Sequence, residues 1–215
     1  MLTAPWRTAP FDPGAELSAT THVACSGVLI DGGRRAVVPL VPLSEARTLW
    51  VRDGLGRRST AQVDRRVEPL GLMLLRLEDP IKVASSLLLA PRDPFPGSPG
   101  FAIDYTATRD AAPAWPLLHA GFIGKPDSST GLNKLGIMMP AGAQGGPVFD
   151  NSGHFIGIAL RSADGQDRLL PVSALRREFG ESLGSVADQS AVQRASFDAI
   201  YESAMPITLQ VIVEH

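Results

Sequence analysis

The chain has 215 residues, which is enough for one large domain or two small ones. Its net charge of −2, without any stripe of Lys and Arg between aromatic residues, argues against a nucleic-acid-binding protein. The single cysteine, Cys25, excludes an intrachain disulfide and is expected to be a small buried apolar residue.

The N-terminal segment, residues 1–18, is rich in proline and has no periodic apolar pattern, so it is predicted to be an arm. It also lacks the apolar stretch of a signal peptide. Elsewhere the chain has no apolar run of the about 18 residues that a membrane-spanning helix needs. We therefore expect no membrane insertion, while the sequence leaves the compartment open.

Short β-rich segments separated by turn signals follow the arm. The predicted strands are 21–31, 36–41, 48–52, 58–67 and 70–77. The last of them is an almost continuous apolar run, which is typical of a strand buried on both faces. Residues 19–80 are therefore predicted to form a first β-barrel.

A connector, residues 81–99, contains four prolines and is the predicted boundary between two halves. The second half, 100–184, repeats the style of the first and is predicted to be a second β-barrel ending in a short helix, with Ser173 as its N-cap. Its predicted strands are 100–107, 117–124, 132–139, 146–150, 154–161 and 168–172. Composition alone leaves a β-sandwich open as an alternative to two barrels.

The tail, residues 185–215, has a different pattern. Helical spacing over 188–204 predicts a helix that Pro206 ends. The very apolar segment 207–213 alternates like a strand. It either completes this domain or is given to a partner chain or a downstream domain.

One segment, Gly142–Asp150, carries a recognisable motif. Its glycines allow a tight turn whose N–H groups point outwards, and Pro147 then starts a strand. It resembles the sequence around the nucleophile of trypsin-like serine proteases, and 151–158 resembles its continuation in HtrA-type members. Further resemblances follow in order at 26–31, 48–63, 72–77, 97–103 and 169–174. Covering roughly residues 22–180, the resemblance implies an all-β, chymotrypsin-like fold of two six-stranded Greek-key barrels.

The positions where the family carries its catalytic His, Asp and Ser are Val41, Gly71 and Gln144 in this chain. None of these side chains can act as nucleophile, base or orienting anion, so no catalytic residue is expected. The resemblance implies that the backbone of Gly142, Ala143, Gln144 and Gly145 keeps an oxyanion-hole-like shape beside a peptide groove.

Three functions are compatible with this pattern. The first is an inactive protease homologue that binds extended peptides or proteins as a scaffold or regulatory module. The second is a serine endopeptidase with a rearranged site, using Ser128 or Ser129 with His119. The third is a structural subunit that pairs with an active homologue, or with itself, through residues 205–215.

No cofactor or metal site is expected, because the four histidines lack metal-ligand spacing and His154 is expected to be a solvated loop residue. The family resemblance also implies, weakly, a bacterial extracytoplasmic location.

The resemblance also implies a strand that precedes 26–31 in the first barrel, for which residues 1–20 offer no good counterpart. We therefore predict that the tail strand 207–213 fills this place, or that the first barrel is incomplete.

Overall fold

The computed structural model describes residues 21–41, 43, 48–83, 86–105, 115–140, 144–162, 164–188 and 194–214. The predicted N-terminal arm lies outside these residues, as do Gly142 and Ala143 of the motif. No helix in the described part of the chain is long and apolar enough to cross a membrane.

Strands dominate the described residues. They are β1 (Thr21–Ile30), β2 (Arg35–Pro39), β3 (Thr48–Asp53), β4 (Arg58–Val67), β5 (Leu72–Leu77), β6 (Leu88–Leu89), β7 (Pro99–Asp104), β8 (Leu117–Pro126), β9 (Asn133–Ile137), β10 (Pro147–Phe149), β11 (Phe155–Arg161), β12 (Asp167–Pro171), β13 (Ser185–Val186) and β14 (Thr208–Glu214). The α-helices are α1 (Val172–Phe179) and α2 (Phe197–Ala204).

The first barrel is closed, with the strand order β1-β14-β3-β4-β5-β2. Its interior follows from the sequence pattern, because the apolar run of β5 is buried from Leu72 to Leu75. The strand β14 lies between β1 and β3 and is antiparallel to both. The prediction that the tail strand completes the first barrel is therefore confirmed.

The same pairing concerns the hypothesis that residues 205–215 pair with a partner chain. Leu209 of β14 pairs with Gly27 of β1 on one side and with Asp53 of β3 on the other. Both edges of β14 are thus occupied within its own chain, so the strand has no free edge for a second chain.

The second sheet has eight strands in the order β10-β7-β8-β9-β12-β11-β6-β13. An additional pairing of β10 with β11 closes the first six of these into a ring. The remaining two show that the predicted linker contains a strand, since β6 pairs in parallel with β11 and β13. One cluster of buried apolar side chains runs through both halves of the molecule.

The helices differ from their predicted bounds. Ser173 is not the N-cap of α1, which is Pro171. Instead, the N–H and hydroxyl of Ser173 both donate to the carboxylate of Asp93 in the connector, at 3.0 and 2.6 Å. In the tail, α2 begins only at Phe197, where Ser196 accepts a hydrogen bond from the N–H of Ala199 as a true N-cap.

Candidate functional site

Two of the three positions where the resemblance places the family's triad lie side by side at one end of the first barrel. Val41 lies two residues after the end of β2 at Pro39, and Gly71 comes directly before β5. The N–H of Leu40 donates to the carbonyl of Gly71 at 2.8 Å, which holds the two segments side by side. Gly71 has a left-handed backbone with φ of +65°, and it ends a short 3-10 turn.

The third position, Gln144, is brought to the same place by the second half of the chain. The next residue, Gly145, has φ of +88°, and a Cβ there would lie 2.4 Å from both Pro39 Cδ and the Ser26 carbonyl oxygen. Only glycine permits this approach. Because Pro39 ends β2, the Gln144–Gly145 turn packs against the strand end that leads to Val41.

Ser26, on β1 of the first barrel, forms hydrogen bonds across this junction. Its N–H donates to the carbonyl of Gln144 at 2.9 Å, and its Oγ accepts from the N–H of Tyr105 at 2.7 Å. The Ser26 side chain is fully buried. The three positions that the sequence singled out therefore lie together where the two barrels meet.

No protein-family model and no curated protein matches this sequence. Among solved structures, the apo form of the MamO protease domain from Magnetospirillum magneticum is similar, with a TM-score of 0.54 and 19% identity. The match covers 74% of this chain and 95% of that domain. The chain has a chymotrypsin-like fold. The likeness concerns the fold, and what the site does depends on its own residues.

Among the described residues, Ser26 and Cys25 place a hydroxyl and a thiol at this junction, and neither is available for catalysis. Ser26 is fully buried and uses its hydroxyl to bind the backbone of Tyr105. Cys25 is also fully buried, and burial raises the pKa of its thiol far above the ordinary value. Because a thiol reacts as the thiolate, this cysteine is inert, as expected from the sequence.

The rearranged site that combines Ser128 or Ser129 with His119 is contradicted by the fold. His119 lies near the start of β8, whereas both serines follow the end of that strand at Pro126. A strand rises about 3.3 Å per residue, which puts them about 20 Å from His119. Ser129 instead donates its N–H and hydroxyl to Asp127, where it forms part of a turn.

His154 is not the solvated residue that the sequence suggested. Its side chain is only 13% exposed, and its Nδ1 lies 3.5 Å from Asp150 Oδ2. The backbone N–H of His154 also donates to Asp150, as does that of Ser152, so Asp150 organises the β10–β11 turn. In the described part of the chain, no group of three or more His, Cys, Asp or Glu is placed to hold a metal ion.

The sequence analysis missed a buried ionisable pair behind the Gln144 loop. Asp104 at the end of β7 has a fully buried side chain, and its Oδ1 lies 3.4 Å from Nε2 of His119. A Cβ on Gly146 would lie 2.6 Å from the Cβ of Asp104, so the carboxyl sits directly beside the loop. Among the described residues, neither Asp104 oxygen has a hydrogen-bond partner.

This burial has an electrostatic consequence. Desolvation, followed by repulsion from Asp167, raises the pKa of Asp104 to about 7, while Arg161 opposes the rise. Burial also lowers the pKa of His119. No sequence motif marks the pair, because residues 104 and 119 come together only through the pairing of β7 with β8.

Proposed function

We propose that this protein is an inactive homologue of trypsin-like, HtrA-type proteases that binds extended peptides or proteins. The observation that carries the proposal is the convergence of Val41, Gly71 and Gln144 at the junction of the two barrels. The positions where this fold does its chemistry are thus held together while their side chains carry no nucleophile, base or anion.

Chemistry supports the absence of proteolysis. A carboxamide is not a nucleophile near neutral pH, and the valine at position 41 offers no base to activate one. The described hydroxyl and thiol beside the loop, those of Ser26 and Cys25, are buried and inert for the reasons given above. An oxyanion-hole backbone without these groups gives only weak acceleration over water.

The strand β11 supports a binding role. The N–H of Ser162 donates to Gln166 in the β12 hairpin, so by alternation the backbone groups of Arg161 face away from β12. They lie on the edge where Ala159 exchanges hydrogen bonds with Gly145 and Gly146. An extended peptide can pair with this edge, next to the half-buried carboxamide of Gln144, which can donate and accept hydrogen bonds.

The test combines capture and cleavage on one sample. Purified protein serves as bait for an immobilised peptide array, and the same preparation is incubated with casein. We expect binding without cleavage, and we expect Gln144→Ser to remain inactive because it restores a hydroxyl without a base. Gln144→Arg should block binding, whereas Gln166→Arg on the exposed β11–β12 turn should not. Cleavage that survives repurification would overturn the proposal.

A further inference from the structure

A second groove lies beside α1, among residues of α1, β6 and β13. It has a volume of about 610 Å³. Its floor contains the apolar side chains of Leu89 and Val186, and its wall contains Ser173, Arg176 and Arg177 of α1. It shares no lining residue with the Gln144 junction.

The floor of this groove ends in an open strand edge. β13 is the last strand of its sheet, and among the described strands it pairs only with β6. The N–H groups of Ser185 and Ala187 donate to Leu87 and Leu89, at 3.0 and 2.9 Å. Because backbone groups alternate along a strand, the N–H and carbonyl of Val186 point away from β6, and the described residues offer them no hydrogen-bond partner.

The side chains at this edge favour one kind of partner. Val186 is 45% exposed, so its side chain is open to contact with an added strand. By register it shares a face with Leu89, and that face carries the groove. A strand added at this edge would therefore lay alternate side chains over an apolar floor.

Charge decides which strand fits. Arg176 and Arg177 are both exposed, and within the described residues neither guanidinium has an ion-pair partner. The neighbouring Glu178 is engaged elsewhere, with Arg65 of β4. Only Glu181 brings a negative charge to the groove lining, so the two arginines leave it positive.

We propose that this groove binds an extended acidic peptide segment by strand addition to β13. One peptide residue exchanges both backbone hydrogen bonds with Val186. Carboxylates two residues apart on the peptide then face Arg176 and Arg177, whose guanidinium groups can donate bidentate hydrogen bonds to them. This site goes beyond the proposed function, because it is separate from the inter-barrel junction and does not depend on it.

The test uses fluorescence anisotropy with a short fluorescein-labelled peptide of alternating valine and glutamate. A matched peptide of alternating valine and lysine is the control. We expect the glutamate peptide to bind and the lysine peptide to bind at least about tenfold more weakly. Reversing both charges with Arg176→Glu and Arg177→Glu should invert this preference, whereas Arg66→Glu on β4 should leave it unchanged.

The backbone contact is tested separately. Val186→Pro removes an N–H for which the described residues provide no acceptor, so the protein should stay folded while peptide binding falls at least about tenfold. Val186→Thr keeps the N–H and should bind normally. Independently of any variant, the Val186 amide of the unmodified protein should exchange quickly with solvent and become protected when the glutamate peptide is added.

Four outcomes would overturn the proposal. They are equal binding of the two peptides or no binding of either, unchanged exchange at Val186 in the presence of peptide, and loss of binding in Gln144→Arg with Val186→Pro unaffected. The last result would assign the peptide to the inter-barrel junction, so failure here remains distinguishable from failure of the proposed function.

Discussion

At the scale of single residues, the inter-barrel junction depends on backbone that only glycine can supply. Gly145 combines a positive φ with a space so narrow that a Cβ would overlap Pro39 and the Ser26 carbonyl. Gly131, in the turn before β9, has a similar φ of +72°, but nothing lies within 4 Å of a Cβ there. A comparison of substitutions at these two glycines therefore separates the cost of backbone strain from the cost of steric overlap.

We predict that Gly145→Ala lowers the free energy of unfolding far more than Gly131→Ala. The second change costs about 1 kcal/mol from its left-handed backbone alone. The first adds overlap with two neighbours that belong to the other barrel, and we expect at least about 3 kcal/mol in total. Urea unfolding of both variants measures the difference. Equal decreases in the free energy of unfolding would show that Pro39 and Ser26 move aside at little cost.

Asp104 makes stability depend on pH. The folded state holds its proton more tightly than the unfolded chain, in which the pKa is near the ordinary 3.8. The ionisation of this carboxyl therefore costs nothing below about pH 4, and that cost grows until pH passes the folded value of about 7. This rise corresponds to about 4 kcal/mol at most.

We predict that Asp104→Asn stabilises the protein at pH 8 by up to about 4 kcal/mol, with the gain falling towards zero near pH 4. Urea midpoints across this range measure it. Asp64→Asn, on the exposed part of β4, is the control and should keep the wild-type pH profile. A pH-independent effect of the Asp104 change would mean that burial does not hold the proton there.

At the scale of elements, β14 is the strand on which the first barrel depends. Its residues from Thr208 to Val213 are all buried, and it is one of the six strands of the closed barrel. It is more than 150 residues away in sequence from its neighbour β3, as the pairing of Gln210 with Arg52 shows. The N-terminal half of the chain therefore does not contain all of its own core.

We predict that Leu209→Ala on β14 costs about 3 kcal/mol, because the side chain is fully buried in the first barrel and its removal leaves a cavity. Leu117→Ala, on a strand of the second sheet where the side chain is 46% exposed, should change stability by less than about 1 kcal/mol. Chemical denaturation of both variants provides the measurement. Similar costs would contradict a structural role for the tail strand.

At the scale of the whole molecule, the chain order and the spatial order of the first barrel differ. β14 comes last in sequence but occupies the place that the family resemblance gives to a strand before β1. Glu214, at the end of β14, pairs directly with Thr21, at the start of β1. Paired antiparallel residues lie about 5 Å apart, which a hairpin turn can bridge.

We predict that a circular permutant with residues 207–214 joined by a short Gly-Ser turn to residues 21–206 folds with the stability of the same chain in its natural order. Contacts in the barrel are unchanged, and only the connection moves. A chain of residues 21–206 alone is the control, and it should lose cooperative thermal unfolding. If that shorter chain melts as sharply as the intact one, β14 is dispensable.

How far the sequence determined this protein varies with the range of the interaction. Strand positions in both halves were predictable because alternation and turn residues are local signals, and β4 was predicted with its exact bounds. The position of the tail strand was predictable only because residues 1–20 contain no counterpart of the family's first strand, which leaves that place in the barrel to be filled. The helix cap at Ser173 was not, because its partner Asp93 is distant in sequence.

Residue identities need no coordinates, so the sequence alone shows that Val41, Gly71 and Gln144 stand where the resemblance places the family's triad. Only the tertiary structure decided which groups lie around them. The pairing of β7 with β8 buries Asp104 against His119, and the parallel addition of β13 to β6 turns the backbone N–H and carbonyl of Val186 away from β6. Both depend on strands that meet across long loops, and no local pattern of residues encodes such a meeting.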